Sequence, residues 1–202
     1  MPDRRLNTIL GCLNFQLLFH MKSTGKAHIH AWFLQYSQKV DALLNELHRF
    51  NTPQLQHKPS VHSWSAIQTL LHLVLVEEQS LAYIHKKLSF NPKLEDTGLF
   101  SSLKGLLLWL LLTSPIKFKA PQMSSHQNIP NDITLDQIRN RWEQSQKSWQ
   151  DFIAQMPENL IKKAVYRHPR AGRIGWQTTF YFFRIHLKRH RKQIFRAIGQ
   201  MV

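Results

Sequence analysis

Residues 65–88 read SAIQTLLHLVLVEEQSLAYIHKKL, a helix written out from its cap to its last turn. Ser65 and Gln68, three residues apart, form a capping box: hydroxyl and amide satisfy two backbone groups that a helix start leaves without partners. The apolar periodicity runs on to about Leu88, ahead of Asn91-Pro92. Inside it, His72 stands between Leu70-Leu71 and Leu73-Val74, so its imidazole is directed at an apolar interior. A buried imidazole needs a partner.

Candidate partners stand near the C-terminus, in His186-Leu187-Lys188-Arg189-His190. With 12 histidines in 202 residues, chance alone gives roughly 0.65 pairs at spacing four, so the pair by itself carries little weight. Its placement carries more. Positions four apart on a helix lie about 40° from each other, so both rings can address one atom. Phe183, Leu187, Ile194 and Ile198 share that face, which therefore looks into a core. If His72, His186 and His190 meet, three imidazoles make an open metal site with room for water or substrate.

Outward from residues 65–88 the chain reads as further helices. The first runs from about Ala27 to Phe50, with Tyr36, Val40, Leu43, Leu44, Leu47 and Phe50 on one face, and Asn51-Thr52-Pro53 stops it. A short helix from about Leu99 to Leu112 is apolar all round, which suits burial, a subunit interface or a membrane surface. Residues 113–131 contain Pro115, Pro121 and Pro130 and read as a loop. A second capping box, Thr134 with Gln137, opens a helix carrying Leu135, Ile138, Trp142, Trp149, Phe152 and Met156 as far as Pro157. Residues 166–175, with Pro169, Gly172 and Gly175, read as a basic turn before a last helix from about Trp176 to Gly199. Four long helices and one short one point to an all-α, up-and-down four-helix bundle. Residues 1–26 read as an N-terminal extension and 27–202 as one domain.

Composition agrees. A chain of 202 residues suits one well-buried domain, and 7 glycines with few alternating segments argue against a strand-rich fold. Cys12, the single cysteine, forbids an intrachain disulfide and fits a reducing, cytoplasmic setting. The longest leucine-rich run, Leu106 to Leu112, is too short to span a bilayer, and the apolar stretch from Ile9 to Phe19 lacks a cleavage site for a signal peptide. A net charge of +15 favours anionic partners, nucleic acid or an anionic membrane surface among them. No helix-turn-helix, zinc-finger or RNA-binding aromatic pattern accompanies the charge.

Trp64-Ser65 leading into Leu71-His72-Leu73, then His168-Pro169 with Gly172-Arg173, then His186, Arg189-His190 and Gln193-Ile194, stand in an order and spacing that resembles the DinB/YfiT-like superfamily. The resemblance covers most of the chain, from about residue 30 to 200. It implies four helices, often in a homodimer, with a divalent metal, commonly nickel or zinc, held by three histidines. Carried over by position, these are His72, His186 and His190. Related families include bacillithiol- and mycothiol-dependent transferases and isomerases, so the resemblance implies a small-molecule substrate and a low-molecular-weight thiol as co-substrate.

Around the histidines, Gln79 shares the face of His72 and Gln193 follows His190 by three, so either suits a hydrogen bond that orients a ligand. Trp142, Trp149 and Phe182 are candidate pocket walls, and Arg167, Arg170 and Arg173 precede the metal helix, where they suit a carboxylate or phosphate. No catalytic acid or base is identifiable: Glu77 lies about 140° from His72 around the helix and Glu78 about 120° the other way. The leading expectation is a metal-dependent enzyme, either a thiol S-transferase or a hydrolase acting through a metal-activated water. The alternative is a non-enzymatic basic protein that binds nucleic acid or an anionic membrane.

Overall fold

The computed structural model describes residues 25–98 and 129–199. Within them lie α1 (Lys26–Leu47), α2 (Thr52–Gln56), α3 (Ala66–Leu88), α4 (Leu135–Gln155), the strands β1 (Tyr166–His168) and β2 (Gly172–Ile174), and α5 (Trp176–Ala197). Both long-helix capping boxes form as read, Ser65 with Gln68 and Thr134 with Gln137. A third was not anticipated. Asn51 with Gln54 caps the single-turn α2, so the segment that ends α1 also starts a helix, with Pro53 in its first turn, where a missing N–H does no harm.

Side-chain contacts fix the direction of each helix. Lys26 reaches Ala154, Ser37 reaches Gln146 and Asn45 reaches Arg139, so α1 and α4 are antiparallel. Glu77 meets Trp142, Glu78 meets Arg141, and His85 meets Phe152, so α3 and α4 run the same way. Gln35 with Arg184 and Glu46 with Arg191 set α5 parallel to α1. The strict up-and-down order expected from the sequence is therefore corrected: the order is up, down, down, up. Residues 89–134 connect α3 to α4, long enough to return the chain to the end from which α3 began. The apolar helix expected at 99–112, the expected loop as far as residue 128 and residues 1–24 of the expected 1–26 extension lie outside the described residues, while Lys26 already begins α1. No helix among the described residues is long and apolar enough to cross a membrane.

The basic turn at 166–175 is a two-stranded antiparallel hairpin, pairing Tyr166 with Ile174 and His168 with Gly172. This corrects the all-α expectation to mostly helical. Tyr166 and Ile174 are buried and hold the hairpin to the helices, while Gly172 takes φ +68°, a left-handed conformation suited to glycine at the end of a three-residue hairpin loop. Asp96 and Lys163 bridge at the hairpin's base, and the Trp176 indole N–H donates to the Leu160 carbonyl at 2.8 Å, fixing the start of α5. Gly175, the residue before α5, is needed for space: a Cβ there would stand 2.4 Å from Cγ2 of Thr97, whose hydroxyl is committed to the Lys162 carbonyl.

Phe33, Trp142, Trp149 and Phe180 fill the interior, each wholly buried. Edge-to-face contacts of Trp149 with Phe180 at 5.4 Å and Phe183 at 5.7 Å join α4 to α5 across the core. Among these rings lies a carboxylate. Glu77 is fully buried, and its oxygens accept from Tyr36 Oη at 2.7 Å, Trp142 Nε1 at 2.8 Å and Ser145 Oγ at 2.8 Å, drawing α1, α3 and α4 together. Burial pushes this carboxyl up to about 7 against the pull of its three donors.

Two outcomes follow. A raised folded-state pKa means that the folded chain holds a proton the unfolded chain has released, so stability present below about pH 4.5 is lost as pH rises through about 7. In urea titrations the unfolding free energy should fall by about 3 kcal/mol across that window, and Glu77→Gln should flatten this slope. Gly175→Ala should cost about 1–3 kcal/mol, and Thr97→Ser, which removes Cγ2 but keeps the hydroxyl, should restore most of it in the double variant.

Candidate metal centre

His72 comes from the second turn of α3, and His186 and His190 from the middle of α5. One ligand nitrogen from each lies within 4.8 Å of the others. Nε2 of His186 and Nε2 of His190 are 3.0 Å apart, and the ring of His72 stands 5.3 Å from that of His186 and 4.9 Å from that of His190. Metal–imidazole bonds of about 2.0–2.1 Å put neighbouring nitrogens on one ion roughly 3 Å apart, so the α5 pair is already spaced for a shared cation.

Electrostatics agree with the spacing. Burial holds His72 at about 4 and, with His72 and Arg189 beside it, His190 at about 3. His186 is depressed well below the ordinary range, first by burial and then by His190, His72, His168 and Arg189. All three rings are thus neutral at pH 7, as metal ligation requires. Nδ1 of His72 is buried without a hydrogen-bond partner, an imidazole lone pair or N–H that costs free energy until something uses that ring. Three neutral nitrogen donors suit nickel, zinc or a similar borderline cation, so the residues present fit a bound metal. His72 is buried and the α5 pair only partly so, which leaves one side of the cluster open to solvent.

The supporting residues divide clearly. Gln193 Oε1 takes the Nδ1–H of His190 at 3.0 Å, which fixes the tautomer and turns the Nε2 lone pair toward His186. Trp64 packs against His72 at 5.0 Å, and Phe182 stacks on His186 at 5.2 Å. Gln79, half-buried, lies about 10 Å along α3 from His72. The structure does not bring Trp142 to the histidines: its indole N–H is committed to Glu77, on a different face of α3. Trp149 likewise belongs to the aromatic core. Arg173 sits on β2 opposite Arg167.

A family model for the DinB superfamily matches residues 35–194, a span holding all three histidines and Gln193. The chain belongs to the DinB superfamily. No curated protein and no solved structure matches it. The DinB span also contains Glu77 and the hairpin, whose buried partners and strand pairing sequence reasoning did not foresee. Glu77 was visible only as an acidic residue on the wrong side of α3 from His72, and nothing local in the sequence shows that Tyr36 and Ser145, over 40 and 60 residues away, will face it. His168, quoted as part of a sequence pattern, proves to be a buried neighbour of Phe182 at 4.6 Å.

Gln193→Leu should leave the fold intact but free the His190 ring to rotate, so metal affinity in a chelator competition should drop about 10–100-fold with the stoichiometry at saturation unchanged.

Proposed function

We propose that this DinB chain is a metal-dependent enzyme whose four long helices form a four-helix bundle and whose His72, His186 and His190 hold one divalent cation, nickel or zinc. The reading is carried by three neutral imidazoles from two helices brought within ligand distance, with the Nε2 atoms of the α5 pair 3.0 Å apart. When bound, the cation supplies Lewis acidity at its open position and lowers the pKa of a thiol or water placed there.

The chain's own residues support activation of a nucleophile over general-base catalysis. Glu77, the nearest acid along α3, is held by three donors on a different face. Glu78 is committed to Arg141 through two contacts of 2.7 Å. Neither is placed to take a proton from a group at the histidines. Apolar walls from Trp64 and Phe182 keep water from the imidazoles, while the partly exposed edges of His186 and His190 leave a way in for a small substrate. A low-molecular-weight thiol delivered to an electrophile is the reaction this arrangement suits best, since a thiolate needs stabilisation more than it needs a base. A cytoplasmic, reducing setting suits a chain whose single cysteine is Cys12.

Elemental analysis of untagged protein should find about one nickel or zinc per chain. His72→Ala and His186→Ala should each abolish most of that content while far-ultraviolet circular dichroism stays helical. Metal content unchanged in both variants would sink the assignment.

A further inference from the structure

Phenylalanine is a residue that folding usually hides, and Phe90 is not hidden. It stands 71% exposed just beyond the last turn of α3, while Leu88 before it and Leu94 after it pack against the core. The backbone fixes this placement. Ser89 keeps helical dihedrals and its N–H reaches the His85 carbonyl at 3.0 Å, so Phe90 takes the next position of the helix, one turn after Lys86 and Lys87. Asn91 then turns the chain at φ +44°, a left-handed conformation that asparagine tolerates, and its N–H closes on the Leu88 carbonyl at 3.0 Å. Phe90 is thus the apex of a short loop pinned to the core on both sides.

Exposure alone does not mark a surface for use, since single apolar residues are common on any protein. The company of Phe90 does. Among the described residues two other large apolar side chains are exposed, Val61 at 90% and Leu34 at 37%. Val61 lies among Ser60, His62 and Ser63, and Leu34 has His30, Ala31, Ser37 and Gln38 one turn away on α1. Phe90 instead follows Lys86 and Lys87 and precedes Lys93, with Lys86 and Lys93 exposed and Lys87 half-buried. Lysines in a last turn complement the helix dipole, which accounts for Lys86 and Lys87 but not for Lys93 or for the ring between them. Of the two acids that follow, Asp96 is paired with Lys163 at 2.8 Å, leaving Glu95 against the three lysines. The exposed Lys162 joins the same end of the bundle, where its carbonyl accepts the Thr97 N–H at 2.7 Å.

A convex apex with a large ring at its tip and cations at its base matches a negatively charged lipid surface. The ring enters the boundary between headgroups and acyl chains while the lysines meet the headgroups. A nucleic acid matches it less well, because one ring on a convex tip offers no run of stacking positions.

We propose that Phe90, with Lys86, Lys87 and Lys93, docks the chain on the surface of an anionic phospholipid bilayer. This docking stands apart from the metal reading, since His72 lies about 27 Å along α3 from Phe90.

The test is co-sedimentation of the full chain with phosphatidylcholine vesicles containing about 30% phosphatidylserine, in about 0.15 M salt. The wild type should partition onto these vesicles and not onto phosphatidylcholine alone. Phe90→Ser should weaken partitioning about fivefold, and Phe90→Trp should keep it. Lys86→Gln with Lys87→Gln should weaken it about 20-fold, roughly fivefold for each cation. Lys188→Gln, Lys192→Gln and Arg196→Gln together, on the part of α5 level with His72 or beyond it, should change it less than about twofold, because that distance exceeds the reach of a screened charge. A wild type that stays off the anionic vesicles overturns the proposal, as does Phe90→Ser within about twofold of it or an α5 triple variant that loses as much as the Lys86 and Lys87 pair. Retardation of a DNA duplex that depends on Phe90, with the vesicles left unbound, overturns it in favour of a nucleic acid.

Discussion

Three imidazoles packed together, His72 buried and His186 and His190 half-buried, with no acid among the described residues' groups that act on them, are the constraint on which the rest of this structure turns. Each proton that would make one of them cationic is opposed by burial, and at His186 and His190 also by the neighbouring rings and Arg189. The rings are left as neutral donors whose nitrogens point at one another, and Nδ1 of His72 has no protein partner at all. Without a cation the α5 pair can share a single proton between two Nε2 atoms; a cation satisfies both lone pairs at once. Desolvation that is a cost for the protein alone thus becomes selectivity for a metal over protons.

Such a cluster is only as good as the helices that hold it, and α3 is held from its other faces. Glu77 faces away from the histidines and gathers Tyr36, Trp142 and Ser145 from α1 and α4. Tyr36 in turn lies 5.4 Å from Phe183, one turn before His186. The same helix therefore carries His72 on one side and, on the other, a buried acid whose donors reach as far as the helix of His186 and His190. A second link joins α1 to α5 directly, where Arg191, next to His190, makes two contacts of 3.0 and 2.8 Å to Glu46. Its ion pair is half-exposed and contributes little stability, with one guanidinium nitrogen, Nη2, reaching both carboxylate oxygens and tying α5 to α1.

What could be read from the sequence is what local chemistry writes down. Capping boxes at Ser65 and Thr134, the apolar stripe through Leu43, Leu44 and Leu47, and the stop at Pro157 gave helix positions to within a few residues. The trio followed because spacing four puts His186 and His190 on one face and because His72 has only aliphatic neighbours. Helix direction was not legible, since nothing in α3 or α4 states whether residues 89–134 return the chain to its starting end. The hairpin was missed because three-residue strands are too short for alternation to show, leaving only Pro169 and Gly172 as signals of a turn. Trp142 was misplaced for a related reason: an aromatic on an apolar stripe meets whatever the opposite helix presents, and here that is Glu77.

The distribution of positive charge bears on whether the surface or the site explains the chain's excess of basic residues. On α5, Arg184 donates to Gln35 and Arg191 to Glu46, so two cations on the α1 side serve helix packing. Lys188, Lys192 and Arg196 remain exposed in a row on the far face, with no aromatic side chain between them on that face of the helix to grip a nucleic acid among the described residues. Arg189 and Arg170 are different. Their charges act on His186, His190 and His168, where burial lowers the effective dielectric and makes each charge count for more than it does on the open face. A long-range positive field can gather anions toward the protein as a whole, but discrimination among them needs fixed donors in a confined place. The exposed row of Lys188, Lys192 and Arg196 supplies such a field without that confinement.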